Sequence, residues 1–310
     1  DFWDFSYSSV SFEPRYFYDR THFRNNVGHM AAARIFGDDS VYIPDDFGHL
    51  VTAENAEDYF GTYFDAKQLD IADYTKDVPV LMYHNIAEEP NDMTVTPETF
   101  RMHMETLAEN GYTAVTLDDM VNYVYSGGEL PEKPVLITFD DGYRSNYDLV
   151  YPILREYGVK ACISIIVLMP DLPTDNFCTW EQLREMTDSG LVEVGSHSYR
   201  LHNLGEDKGN YEKDGTNGVE RRPGESDGDF QARVLDDIQK SHDRIAAELG
   251  SVTCFAYPFG CTDPDAKALV DALFPVSLMT VPQCADLAKG LHDLPRYAVH
   301  METNLADLLN

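Results

Sequence analysis

Two adjacent carboxylates, Asp140 and Asp141, are the residues of this sequence whose position most suggests chemistry. They follow the apolar and β-branched run Val135–Thr138, which predicts a buried strand, and they precede Gly142. Adjacent side chains of a strand point to opposite faces, so both acids can face one site only if the backbone turns there, and glycine permits that turn. Acids at the carboxyl end of a buried strand are typical of active sites in α/β proteins. Taken alone, the tripeptide is better explained as an ordinary polar turn.

Two histidines further along the chain favour a functional interpretation. A second strand-like run, residues 191–196, leads into His197, and His202 follows five residues later. Five steps on a helix would put the two rings on different faces, so the pair fits a turn from a strand into a loop. One carboxylate and two imidazoles form a three-ligand set, the pattern of a catalytic divalent metal with an open position for water. A lone histidine is usually structural, but this combination favours a metal site.

These motifs resemble those of the polysaccharide deacetylase family, carbohydrate esterase family 4, with its chitooligosaccharide-deacetylase type of domain. The stretch Thr138–Gly142 is identical to the first motif of that family, and His197–His202 resembles the second, which usually has histidines four residues apart. The five-residue spacing resembles that of the family branch that deacetylates poly-β-1,6-N-acetylglucosamine. Phe255–Gly260 resembles the third motif of that branch, without the arginine that begins it elsewhere. With the similar stretches 78–84 and 294–296, the resemblance covers about residues 78–300.

The resemblance implies a role for each residue of the two main motifs. Asp141, His197 and His202 would hold a divalent metal, with zinc expected first and cobalt, nickel or iron as alternatives. Asp140 would be the general base. The backbone N–H of Tyr143 would help to hold the oxyanion, so that metal and protein together would hydrolyse an amide or ester.

The general acid is not at the position usual for the family. In most members it is the histidine of a late Leu-x-x-His motif, and His300 lacks that leucine spacing. Leu81 and His84 have it, at the end of the first predicted strand of the domain. Because a barrel is cyclic, a motif moved from the last strand to the first could occupy the same place. We therefore expect His84 to be the general acid. The alternative is that His84 has only a structural role and caps the core.

Three more residues are expected at the substrate. Tyr257 and Phe259, in the third motif, are expected to line the pocket for the acetyl group or the sugar. Arg296 is expected to orient the general base, Asp140, through an ion pair at the mouth of the barrel.

Strand-like and helix-like runs alternate along most of the chain, which predicts an α/β fold with a parallel sheet. The resemblance implies a distorted (β/α)7 barrel of the polysaccharide deacetylase type with an N-terminal extension. We expect the catalytic domain to span residues 78–310. Residues 1–77 are rich in aromatic and turn-forming residues, and we expect them to be that extension, which could be the tail of an upstream domain.

Composition limits the partners. The 310 residues include 54 acids against 23 lysines and arginines, for a formal net charge of −31. Such a surface should repel nucleic acid and anionic lipid. The negative charge is compatible with a neutral or cationic polymer as the partner. It is explained equally well by a need for solubility alone. The five cysteines are dispersed, without a Cys-x-x-Cys pair, which argues against a disulfide framework or zinc knuckle.

No apolar run approaches the length of a membrane-spanning helix. From the resemblance we expect an extracellular or cell-surface bacterial protein, whose signal or anchor segment is not part of this sequence.

Three functions compete at this point. The first is a metal-dependent hydrolase that removes N-acetyl groups from a β-linked N-acetylglucosamine exopolysaccharide. The second has the same chemistry but acts on peptidoglycan or an O-acetylated glycan. The third is a carbohydrate-binding protein without activity, and the complete set of two aspartates and two histidines argues against it.

Overall fold

The computed structural model describes residues 2–4, 25–36, 43, 47–52, 54–55, 76–89, 91, 93–126, 128–202 and 218–309. Most of the expected extension, residues 1–77, therefore lies outside the described residues. The strands are β1 (Phe2–Asp4), β2 (His49–Val51), β3 (Asp77–Val78), β4 (Val80–Tyr83), β5 (Asn85–Ile86), β6 (Thr94–Val95), β7 (Thr113–Val115), β8 (Pro134–Asp141), β9 (Ala161–Ile165), β10 (Val192–Ser196), β11 (Phe255–Ala256), β12 (Ser277–Leu278), β13 (Ala285–Asp286) and β14 (Tyr297–Ala298). The α-helices are α1 (Asn25–Phe36), α2 (Pro97–Glu109), α3 (Leu117–Ser126), α4 (Tyr151–Tyr157), α5 (Trp180–Asp188), α6 (Asp227–Leu249), α7 (Pro264–Leu273) and α8 (Leu305–Leu308).

A curled parallel sheet forms the centre of the domain. Its strand order is β12-β11-β10-β9-β8-β4-β14, and β7 pairs with the first residues of β8. The two ends of this sheet are connected by a hydrogen bond. Met279, which follows β12 at one end, donates its N–H at 2.8 Å to the carbonyl of Leu294, which lies shortly before β14 at the other end. The expected α/β fold, a distorted barrel of the (β/α)7 type, is confirmed.

The two faces of the strands bury different cores. Leu136, Cys162 and Cys254 belong to one cluster of buried side chains. Their strand neighbours, such as Ile137 and Ile163, belong to a second cluster that includes apolar residues of α2, α4 and α5. This alternation follows from the two-residue repeat of a strand, and it determines which side chains can reach the barrel mouth.

Helix starts follow the local sequence closely. The side chain of Thr96 accepts a hydrogen bond from the N–H of Thr99 at the start of α2, with Pro97 in the first turn. Thr179 and Gln182 form a reciprocal capping box at the start of α5.

Two elements next to the site depart from regular helix and strand geometry. The helical stretch of residues 146–157 begins with a π-helical turn, Asn146–Val150, before α4. Strand β9 ends at Ile165: the N–H of Ile166 still donates to the carbonyl of Asp141 at the end of β8, but the next N–H, that of Val167, donates to the carbonyl of Ser198 beyond the end of β10. The chain after β9 is thereby tied to the segments that carry the acids and the histidines.

Candidate active site

The end of β8 carries both aspartates to one site through a backbone turn. Asp141 has a φ of +72° and Gly142 a φ of +77°, so two consecutive residues adopt the left-handed conformation. A Cβ on Gly142 would lie 2.7 Å from Cγ2 of Ile165, so no larger residue fits without a shift. The turn expected at Gly142 therefore begins one residue earlier. It costs backbone energy, and such strain is typical of functional sites.

Asp140 is held by a buried arginine. Nη1 and Nη2 of Arg296 donate to the two carboxylate oxygens at 2.7 Å each, while its Nε donates to the carbonyl of Met279 at 2.8 Å. Arg296 is 0% exposed and Asp140 is 1% exposed. Burial alone would raise the pKa of Asp140, but Arg296, helped by His197 and His84, holds it well below its usual range. Asp140 is therefore ionised at neutral pH.

Asp141, His197 and His202 converge around one point. One potential ligand atom from each lies within 4.8 Å of the other two. Oδ1 of Asp141 is 3.6 Å from Nε2 of His197 and 3.3 Å from Nε2 of His202. The part of the chain that the structure describes contains no other such group of three histidine, cysteine or acidic residues.

The protonation of these groups fits a cation better than an ion pair. Burial lowers the pKa of both His197 and His202 to about 4, so both rings are neutral at pH 7. Nδ1 of His197 lies 2.8 Å from the carbonyl of Ala256 and must donate to it, which leaves a lone pair on Nε2, facing Asp141. Oδ1 of Asp141 is buried and has no hydrogen-bond partner among the residues that the structure describes. Burial raises the pKa of the Asp141 carboxyl, so its anion is poorly stabilised here, and a divalent cation would stabilise that anion and accept the lone pair of His197.

Two aromatic residues border this group. Burial and the nearby Asp141 carboxyl raise the pKa of Tyr143, whose ring stacks on Phe177 with the centroids 5.2 Å apart. Phe259 has a φ of +59°, is 49% exposed, and stacks on His202 with the centroids 4.5 Å apart. The structure thus brings Tyr143 and Phe259 to the edge of the group formed by Asp141, His197 and His202.

His84 and Tyr257 have different positions. His84 follows β4, is half-buried, and lies close enough to Asp140 and Asp141 to interact electrostatically with both carboxyl groups. Tyr257, expected to line the acetyl or sugar pocket, is instead fully buried in a core cluster with Phe255 and side chains of α6 and α7. That expectation is corrected, because a fully buried ring cannot touch a substrate in this structure.

Comparison with known proteins decides the family. Residues 127–273 match the family model described as polysaccharide deacetylase. This chain carries a polysaccharide deacetylase domain. The matched segment includes both aspartates and both histidines, whereas His84 and Arg296 lie outside it.

Individual relatives agree with this assignment. YxkH of Bacillus subtilis, named as a candidate polysaccharide deacetylase, is 29% identical over 223 residues, which cover 72% of this chain and 71% of YxkH. The poly-β-1,6-N-acetyl-D-glucosamine N-deacetylase of Escherichia coli is 35% identical over 138 residues, which cover 39% of this chain and 20% of that protein. The structure of a de-N-acetylase from Aggregatibacter actinomycetemcomitans superposes with a TM-score of 0.66 at 23% identity, covering 75% of this chain and 100% of that one. This last similarity bears on the fold alone.

Sequence reasoning missed one buried acid of the deacetylase domain that contacts the histidine-bearing turn. Asp237, on α6, is 6% exposed and accepts hydrogen bonds from the backbone N–H groups of Tyr199 and Arg200. Its signal in the sequence is an acid within the apolar stripe of α6, beside Val234 and Ile238. A charged residue in such a stripe needs a buried partner.

Proposed function

We propose that this protein is a metal-dependent hydrolase that removes N-acetyl groups from a β-1,6-linked N-acetylglucosamine exopolysaccharide. The observation that carries the proposal is the convergence of Asp141, His197 and His202 within the segment that matches the family. The linkage and sugar come from the relatives named poly-β-1,6-N-acetyl-D-glucosamine N-deacetylase, such as that of Escherichia coli.

In this proposal Asp141, His197 and His202 hold the metal. One carboxylate and two imidazoles suit zinc, and they also suit cobalt, nickel or iron. A bound ion would lower the pKa of a water toward about 7 and polarise the acetyl carbonyl. The residues themselves prepare this site, since both imidazoles are neutral at pH 7 and need to lose no proton to bind.

Asp140 is proposed as the general base, the group that takes a proton from the attacking water. Arg296 keeps Asp140 ionised and fixes the direction of its carboxylate through two hydrogen bonds. A general base must be in its ionised form, and its carboxylate must be oriented toward the proton that it removes. The same ion pair lowers the basicity of Asp140, so this base suits only a water that is already more acidic than bulk water.

His84 is proposed as the general acid. The amine must receive a proton as the C–N bond breaks, because an amide anion is far too basic to leave. The backbone N–H of Tyr143 is proposed to stabilise the oxyanion. Phe259, exposed beside His202, is proposed to contact the sugar, and Tyr257 is left out because it is buried.

An exopolysaccharide substrate places the proposed activity outside the cytoplasm, at the bacterial surface or beyond it. No helix within the described residues is both long enough and apolar enough to cross a membrane. The net charge of −31 is suited to a polymer whose deacetylated units are cationic.

Acetate release tests the proposed function directly. The protein is stripped of metal with a chelator, and acetate is measured with and without added zinc, cobalt, nickel or iron. The substrates are poly-β-1,6-N-acetylglucosamine, peptidoglycan and an O-acetylated glycan. We expect metal-dependent release from the first polymer, and loss of both metal and activity in Asp141→Asn and His202→Ala.

The other results would each contradict part of the proposal. Full activity of the stripped protein would exclude metal dependence. Preferential release from peptidoglycan or from the O-acetylated glycan would exclude the proposed substrate. Binding of a polymer with no acetate release from any substrate would mean that the chain is a carbohydrate-binding protein.

A further inference from the structure

We infer that helix α6 positions the turn that carries His202, and that Asp237 is the positioning residue through which it does so. The inference rests on the proposed role of His202 as a metal ligand.

The two histidines are supported in different ways. His197 directly follows β10 and donates from Nδ1 to the carbonyl of Ala256, so the sheet fixes its ring. His202 lies five residues further on, beyond the end of the strand, and its buried Nδ1 has no hydrogen-bond partner within the described part of the chain. Its position therefore depends on the conformation of the backbone between the two histidines.

Asp237 fixes that backbone from α6. Its Oδ1 accepts a hydrogen bond from the N–H of Tyr199 at 2.7 Å, and its Oδ2 accepts one from the N–H of Arg200 at 3.0 Å. Both donors lie between His197 and His202. Two N–H groups bound to one buried carboxylate fix both the distance and the direction of the turn, and hydrogen bonds to a charged group are the stronger kind.

The same helix also holds the first residues of the turn. Oγ of Ser196 donates to Oγ of Ser241 on α6 at 2.8 Å, and it accepts a hydrogen bond from the N–H of Ser198 at 3.1 Å. Ser198 has a φ of +70°, an unusual conformation for a serine, so the turn starts from a backbone that needs such support.

One helical turn before Asp237, Arg233 holds the segment that packs on the other side of the turn. Its guanidinium donates to the carbonyls of Gly218 and Glu220. The N–H of Gly218 in turn donates to the carbonyl of Leu201, and a Cβ at Gly218 would lie 2.5 Å from Cβ of Leu201. Asp237 and Arg233 lie one turn apart on α6. Asp237 thus binds the backbone N–H groups before His202, and Arg233 binds the carbonyls of the segment that packs against Leu201.

Asp237→Asn tests the inference, with Asp236→Asn as the matched control. Asp236 is the exposed neighbour on the same helix, so the control makes the same change of charge without the contacts. The asparagine side chain can accept from one of the two N–H groups, while its NH₂ group opposes the other. Each protein, stripped of metal, is titrated with Co²⁺ while the visible spectrum is recorded, and urea unfolding of the metal-free proteins is measured in parallel.

We expect Asp237→Asn to bind Co²⁺ about 10–100-fold more weakly, the usual effect of losing a group that orients a metal ligand. Its Co²⁺ spectrum should also change, since the spectrum reports ligand geometry, whereas a purely structural role would lower stability and leave the spectrum of the folded protein as it was. Asp236→Asn should match the wild type in both. Wild-type affinity and spectrum in Asp237→Asn, or an equal loss in Asp236→Asn, would overturn the inference.

Two further variants keep the test decisive. If Asp237→Asn does not fold, Asp237→Glu keeps the charge but moves both acceptor oxygens by one methylene, and an unchanged Co²⁺ affinity and spectrum there would overturn the inference. His202→Ala separates the two proposals: if it keeps wild-type affinity, the proposed metal site is wrong. If His202→Ala loses the metal while Asp237→Asn does not, only the positioning role fails.

Discussion

Replacing Arg296 with methionine should destabilise the protein severely, because it leaves Asp140 as a buried and uncompensated charge. Arg296 is 0% exposed and satisfies both oxygens of a carboxylate that is 1% exposed. Removing one partner of a buried ion pair typically costs about 3–5 kcal/mol. The carbonyl of Met279 and the hydroxyl of Thr138 also lose a donor, which adds about 1–3 kcal/mol for each group that stays unpaired.

The double variant Arg296→Met with Asp140→Asn separates the charge effect from the rest. Asp140→Asn alone leaves a buried guanidinium without its anion, so it should cost about 3–5 kcal/mol as well. With both groups replaced no buried charge remains, and only the hydrogen bonds of Arg296 to other groups are lost. The double variant should therefore be destabilised by several kcal/mol less than the sum of the two single variants.

The cost of Arg296→Met should also depend on pH. In the wild type the pKa of folded Asp140 lies below its unfolded value of about 3.9, so its stabilisation is present above that value and is lost as the pH falls through the folded pKa. In Arg296→Met, burial raises the folded pKa of Asp140 above the unfolded one, so ionisation destabilises the variant as the pH rises above about 4. The difference between the two proteins should be largest at neutral pH and shrink toward pH 4.

Urea unfolding of the four metal-free proteins at pH 7 and pH 4 measures these effects, and removing the metal excludes stabilisation by binding. Additivity of the single variants to within about 0.5 kcal/mol would refute the ion-pair reasoning, as would a cost that is the same at both pH values.

Two further predictions concern the turn and the proton donor. Gly142→Ala should cost about 2 kcal/mol or more in urea unfolding, from the left-handed φ and the contact with Ile165, whereas Gly158→Ala, with φ +64° and nothing within 4 Å, should cost only the backbone part of about 1 kcal/mol; equal costs would contradict the steric argument. His84→Ala should fold, bind metal and lose about 10²–10⁴-fold in rate on an N-acetyl glycan but much less on an aryl acetate, whose leaving group needs no proton. His300→Ala should behave as wild type on both, and a selective loss on the glycan in His300→Ala alone would place the acid at the late position.

The sequence by itself determined the elements and the ends of strands where chemistry is possible. The threonine caps at Thr96 and Thr179 are local hydrogen bonds, so the helices that they begin were predictable. The two aspartates follow an apolar run and His197 follows another, and parallel strands bring their carboxyl ends to the same edge of a sheet. The three residues that converge in the structure were therefore already candidates in the sequence.

Only the tertiary structure revealed the support of the histidine-bearing turn. Asp237 reaches Tyr199 across 38 positions, a distance over which no local pattern acts. The pairing of Asp140 with Arg296, 156 positions apart, was expected from the family resemblance and not from any local pattern. Tyr257 was misplaced because a two-residue strand cannot reveal from its sequence which alternate residues face the barrel mouth and which face the helices. Local propensity fixes the backbone of single elements, whereas the pairing of buried charges depends on how distant elements pack.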